Sequence, residues 1–205
     1  MSSSPGSTRK TRSDKERNRS HILEVAEEFF AEQGVDGPMH DIAKRAGLGP
    51  GTLYRHFPTR EDLLAALLRA RWDELFARRD AIRQHESDSG AALHAWMQAL
   101  SEYVSIFDGL PEPLRAALSQ EASPLAITCE TLVETTGDFL AAAQRDGRAH
   151  PWVGEREVFL GVLASEWVRG AVLADDASSN GLRNLLRTGW EKPPVGDVDS
   201  TRTVS

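Results

Sequence analysis

Apolar residues recur along this chain at three- and four-residue intervals, and alternation of the strand kind is nowhere sustained. That pattern predicts helices and no sheet. The first stripe, Ile22, Val25, Ala26, Phe29 and Phe30, predicts a helix over about 15–33, stopped by Gly34. Two short helices follow, about 39–46 and 50–57, joined by the Gly47-Leu48-Gly49 turn. Ile42, Ala43, Ala46, Leu48, Leu53 and Phe57 supply the apolar set that a small three-helix core needs. Thr59 followed by Asp62 resembles a capping box and opens a fourth helix, whose stripe from Leu63 to Phe76 carries it to about 84. The polar run HESDSG then breaks the pattern. Downstream, Leu93, Met97, Leu100, Val104 and Phe107 mark another helix, and a short one is predicted over about 114–121. A long helix beginning at Pro124 should end near Gly147, and two more are expected over about 155–173 and 178–190. The fold class is all-α, with about nine helices.

Composition narrows this picture. A hydrophobic share of 40% and a charged share of 27% are ordinary for a soluble globular protein. No apolar run approaches the roughly 20 residues that span a bilayer. The polar start MSSSPGSTRKTRSDK lacks a secretory signal, so a cytoplasmic location is expected. The one cysteine, Cys129, excludes an intramolecular disulfide and reads as a buried thiol among Ile127, Leu132 and Val133.

The net charge of −7 changes meaning once it is divided by region. Residues 1–60 hold ten Lys and Arg against eight Asp and Glu, and the remainder holds fourteen against twenty-three. Arg9, Lys10, Arg12, Lys15, Arg17 and Arg19 face only Asp14 and Glu16. The predicted organisation is a disordered basic arm (1–13), a three-helix unit (14–58), an acidic helical domain (59–191) and a disordered tail (192–205). Such asymmetry suits a protein that touches nucleic acid with one end.

The two short helices sketch a helix-turn-helix, and the second displays Thr52, Tyr54, Arg55 and His56, groups that bond phosphates and base edges. Leu53 and Phe57 read as core, while Tyr54 reads either as a core aromatic or as a phosphate contact. Arg55 is suited to a bidentate guanine contact or to plain solvation. For catalysis there is little. The six histidines show no HExxH spacing, and no GxSxG, Walker loop or dinucleotide fingerprint occurs. An enzyme is not expected, and no cofactor or metal is called for.

FFAEQG, then DIAKRAG, then GTLYRHFPTREDLL, over about 19–68, make the chain resemble the tetracycline-repressor-like (TetR) family of bacterial transcriptional regulators. Beyond Leu68 the likeness is to the family's architecture alone. The resemblance implies a homodimer with an N-terminal DNA-binding domain and a C-terminal domain that dimerises and binds a small effector. It implies phosphate contacts from Tyr54, His56 and Arg60, with Thr52 and the backbone at Gly51 against the groove or the DNA backbone. Two departures stand out: Pro38 and the pair Gly49-Pro50 occupy positions where many relatives carry Ser, Thr or a basic residue. Lys44, Arg45, Pro50, Thr52 and Arg55 remain as base-reading candidates. A cavity in the C-terminal domain would be lined by Trp96, Met97, Tyr103, Phe107, Thr136, Phe139, Glu166 and Trp167, with Glu166 as polar anchor and His94 a weaker one. The last two helices would meet their twofold mates, with Gly161, Ala164, Gly170 and Ala171 permitting close approach. The function expected is a repressor released from a pseudo-palindromic double-stranded operator by a small molecule. The alternatives are a dimeric activator or architectural factor without a ligand, or a helical protein-interaction scaffold.

Overall fold

The computed structural model describes residues 6–120, 122–170 and 176–192, and all regular elements in them are helices. They are α1 (Gly6–Gln33), α2 (Met39–Arg45), α3 (Pro50–His56), α4 (Arg60–Ala70), α5 (Trp72–His85), α6 (Ser89–Val104), α7 (Pro111–Ala117), α8 (Ala126–Arg145), α9 (Glu155–Arg169) and α10 (Asp176–Trp190). One isolated bridge, Ala149 with Glu191, ties the end of α10 to the α8–α9 connection. Part of the expected arm (1–5) and nearly all of the tail (193–205) lie outside the described residues.

Two differences from the periodicity have physical causes. First, α1 begins at Gly6, well before the apolar stripe and inside the segment expected to be a disordered arm. No Gly or Pro interrupts residues 7–33, and adding a residue to an existing helix costs far less than starting one. Second, the single long helix expected after Thr59 is two, because the chain breaks at Arg71 (φ −99°, ψ 0°). The Leu68 carbonyl accepts from the Tyr103 hydroxyl at 2.8 Å and from the Arg71 amide at 3.1 Å, which tightens the turn. Arg71 then pairs with Glu27 of α1 at 2.7 Å. This break accounts for ten helices where about nine were predicted.

The three-helix unit forms as the spacing requires. Ile22, Ala26 and Phe30 of α1 close on Ile42, Ala43, Leu53 and Phe57, all buried. The α2–α3 turn depends on Gly47, whose φ of +67° is the left-handed region that an L side chain resists. It ends α2 in a Schellman motif, with Leu48 N–H donating to the Ala43 carbonyl (2.9 Å) and Gly47 N–H to that of Lys44 (3.1 Å). The Thr59–Asp62 capping box is complete and starts α4.

The unit is seated on the rest of the chain at a short seam. Val35 N–H donates to the Asp108 carbonyl at 2.8 Å, and Phe30 meets Phe107 edge to face at 5.9 Å. The larger domain packs α6 against α8 around Trp96, which stacks on Phe139 at 5.4 Å and donates its indole N–H to the Thr136 hydroxyl at 3.0 Å. Cys129 is buried, its Sγ 3.4 Å from the Leu114 carbonyl, and burial pushes its thiol pKa up to about 12.

Candidate functional site

The outward side of α3 is open. A Cβ placed at Gly49 or Gly51 would meet nothing within 4 Å. Tyr54 is 45% exposed, so the structure takes it out of the core. Arg55 is exposed and folds back to donate from Nε to the Gly51 carbonyl at 2.9 Å. Thr52 and His56 are half-buried beside it, and Lys44 on α2 reaches solvent.

His56 lies within the field of Lys15 and Arg19 from α1 and of Arg55 from α3. Partial burial first, and then those three cations, hold its pKa below the ordinary imidazole value. Arg19 itself rests over the Phe57 ring, 4.5 Å from the centroid. The N-terminal half of α1 therefore brings positive charge to the end of α3. Lys15 and Arg19 are legible as basic, but not as neighbours of His56, since that proximity arises only when α1 packs against α2 and α4 and Arg19 reaches Phe57 at the end of α3.

Two predicted contacts also have partners within the chain. Arg45 turns away from α3, pairing with Glu32 at 2.6 Å and covering the Phe29 ring at 5.7 Å. The Arg45 hydrogen bond holds the Glu32 carboxyl below its usual range. Arg60 points its Nη1 into the α1–α2 connection, donating to the carbonyls of Val35 and, at 2.7 Å, Gly37. It is a clamp on that loop, with the two N–H groups of one guanidinium nitrogen bridging two carbonyls.

In the larger domain, α6, α9 and α10 enclose a cleft of about 680 Å³. Met97 and Glu166 line it, as does His94. Glu166 is buried there, accepts from the Ser101 hydroxyl and forms ion pairs with Arg169 and, at 3.4 Å, with Arg183. The other expected lining residues lie elsewhere. Trp96, Thr136 and Phe139 satisfy one another in the α6–α8 core. Tyr103 is spent on the α4–α5 break, and burial raises its phenol pKa. Phe107 packs at the seam with the three-helix unit. Trp167, 60% exposed, stands outside the cleft beside Leu160 and Ala164, on a separate groove of about 390 Å³.

Two family models match the chain. One, described as bacterial regulatory proteins of the tetR family, covers residues 22–67. The other, described as the C-terminal domain of SbtR-like transcriptional regulators, covers residues 88–191 and so half of the chain. The chain belongs to the TetR family. An HTH-type transcriptional regulator of Staphylococcus aureus (strain USA300) is 49% identical over 53 residues, a quarter of this chain and 29% of that protein. Among solved structures, the TetR regulator SCO0520 of Streptomyces coelicolor is 26% identical, with a TM-score of 0.56 over 85% of this chain and 99% of its own. AibR, solved in complex with isovaleryl coenzyme A and operator DNA, shares the fold at 17% identity and a TM-score of 0.55, over 84% of this chain and 97% of its own. TetR-family members are transcription regulators and not enzymes. No helix among the described residues is long and apolar enough to cross a membrane.

The departures from the family pattern are visible in the geometry. Pro38 and Gly49 occupy the N-cap positions of α2 and α3, and neither helix has a side-chain cap. Of the small residues expected to admit a partner helix, Gly161 faces Leu186 of the same chain and Gly170 faces Asp108. Ala171 lies outside the described residues.

The Arg60 geometry gives a discriminating prediction. Arg60→Ala should destabilise the protein by about 2 kcal/mol, the range for a hydrogen bond to a charged group. Arg60→Lys should lose less, because an ammonium also has donors for two carbonyls, although on a shorter stem. Urea denaturation checks both. An alanine variant as stable as the parent would show that Arg60 braces nothing.

Proposed function

We propose that the chain is a homodimeric repressor that reads a pseudo-palindromic operator through α3 and is released by a small molecule held in its helical domain. The observation that carries the DNA-reading part is the open outer side of α3. Tyr54, Arg55, Thr52 and the Gly51 backbone face outward there, backed by Lys15, Arg19 and His56. The three-helix unit supplies two such faces in a dimer, which enter successive major grooves roughly 34 Å apart.

Dimerisation is supported by the apolar residues that α9 and α10 leave uncovered. Leu160 and Trp167 project from one side of α9, and Leu185 of α10 is 69% exposed. Effector release is supported by the cleft beside those helices. AibR was solved with both a coenzyme A thioester and operator DNA, and this chain shares its fold. The effector must bind the released conformation more tightly than the DNA-bound one, because an indifferent ligand shifts nothing.

On this reading Tyr54→Phe weakens binding to every duplex, operator or not, since it removes a phosphate donor. Arg55→Ala relaxes discrimination at one base pair by about 1–3 kcal/mol. Lys44 and Thr52 complete the contacting set. A gel-shift series across salt concentrations tests this, and a binding constant indifferent to salt sinks it.

His56 adds a pH signature. Its pKa is depressed in the unbound protein by burial and three neighbouring cations. A DNA phosphate beside it favours the imidazolium, so binding takes up a proton. DNA affinity should therefore rise as pH falls through the lower part of the imidazole range, and His56→Gln should flatten that rise.

A further inference from the structure

The arrangement of charge in the α6–α9–α10 cleft selects the sign of what it holds. We propose that the cleft binds an organic carboxylate, with the acid group at Arg183 and Arg169 and an apolar body along Met97, Val162 and Leu186. This assigns the chemical class of the effector and rests on the reading of the chain as ligand-released.

The buried carboxylate of Glu166 is flanked by two guanidiniums, those of Arg169 and Arg183. One formal negative charge thus meets two positive ones in a site partly shielded from water. The remaining charges on the lining do not cancel the surplus. Glu102 is taken by Arg78, and Arg187 is paired with Glu191 at 3.3 Å. Glu166 Oε2 accepts no hydrogen bond, but both carboxylate oxygens are ion-paired, Oε2 with Arg169 and Oε1 with Arg183. A cationic ligand drawn to Glu166 would therefore meet the surplus charge at close range.

Arg183 also has an unused donor. Its Nη1 donates to the Asn180 side-chain oxygen at 3.0 Å and its Nη2 to Glu166 at 3.4 Å, while Nε is buried without a hydrogen-bond partner. A buried donor with no acceptor is costly, and a carboxylate oxygen is the acceptor that guanidinium geometry fits. The cleft is large enough for a whole small molecule, within the usual range of ligand pockets. Its apolar wall at Met97, Val162 and Leu186 gives the rest of that molecule somewhere to lie.

The test is calorimetric titration of the full-length protein with octanoate, decanoate and naphthoate, each beside its amide and its amine, and with inorganic phosphate. At least one carboxylate should bind about tenfold more tightly than its amide, a difference of about 1.4 kcal/mol. Its amine and inorganic phosphate should not bind measurably. Arg183→Gln should weaken that carboxylate about tenfold, with near-ultraviolet circular dichroism checking that the variant is folded. Glu166→Gln supplies the opposite sign: it removes the negative charge and should preserve or tighten carboxylate binding. The proposal is overturned if amides or amines bind as well as acids, if phosphate alone binds, or if no carboxylate binds in the millimolar range. Loss of binding in Glu166→Gln with none in Arg183→Gln would also overturn it. Carboxylate binding that leaves operator affinity unchanged would uphold the cleft and refute effector release. Operator binding with no carboxylate binding would refute the cleft and leave DNA reading standing.

Discussion

Phe57→Ala is expected to destabilise the protein by about 3–5 kcal/mol and to abolish operator binding at concentrations that saturate the parent. Phe57 is buried at the end of α3, and its amide closes that helix on the Leu53 carbonyl at 2.8 Å. The three-helix unit is small, so one aromatic ring is a large share of its core. Truncation leaves a cavity beneath the DNA-reading helix and removes the ring on which Arg19 rests. Arg19 then loses its fixed position near His56, and the basic face is disturbed as well as the core. The five tryptophans, Trp72, Trp96, Trp152, Trp167 and Trp190, all lie outside residues 1–60. Tryptophan fluorescence therefore follows the helical domain, while far-ultraviolet circular dichroism follows the whole chain. In Phe57→Ala the dichroism transition should shift to lower urea more than the fluorescence transition does. Coincident, unshifted transitions would show that Phe57 carries no such weight.

The parts of this structure legible in the sequence are those governed by local rules. Ile42, Leu53 and Phe57 are buried because helical spacing puts them on one face, and Thr59 with Asp62 starts a helix because both groups lie within one turn of it. The family likeness rests on the same stretch. What spacing does not carry is the choice of partner for a long side chain. Arg60 finds carbonyls 23 and 25 residues upstream, and Arg45 finds Glu32 on another helix. Neither choice is written in a local window, and both give predicted DNA contacts an internal partner as well. The break at Arg71 has the same origin, since the hydroxyl that holds it belongs to Tyr103. In the larger domain, Glu166 announces itself as an acid on an apolar helix. Arg183 does not, because an arginine on an amphipathic helix reads as solvated until α10 is laid beside α9.

The aromatic stripe of the larger domain divides the core from the cleft, and Trp96 is the residue that tests the division. Trp96→Ala should cost about 3–5 kcal/mol, because the side chain is wholly buried and stacked on Phe139. Trp96→Phe should cost much less. It keeps an aromatic surface against Phe139, and Thr136 retains its own donation to the Leu132 carbonyl at 2.7 Å, losing only the indole donor. Both variants should leave the carboxylate affinity of the cleft within about twofold of the parent, provided the protein is folded at the assay temperature. Met97, its neighbour in sequence, lines the cleft from the adjoining position on α6, so Met97→Ala should do the reverse: little loss of stability and a clear change in ligand affinity. Thermal melts and calorimetry on the three variants read both quantities. A Trp96→Phe protein with unchanged melting and altered ligand affinity would move Trp96 from the core into the cleft and redraw the boundary between them.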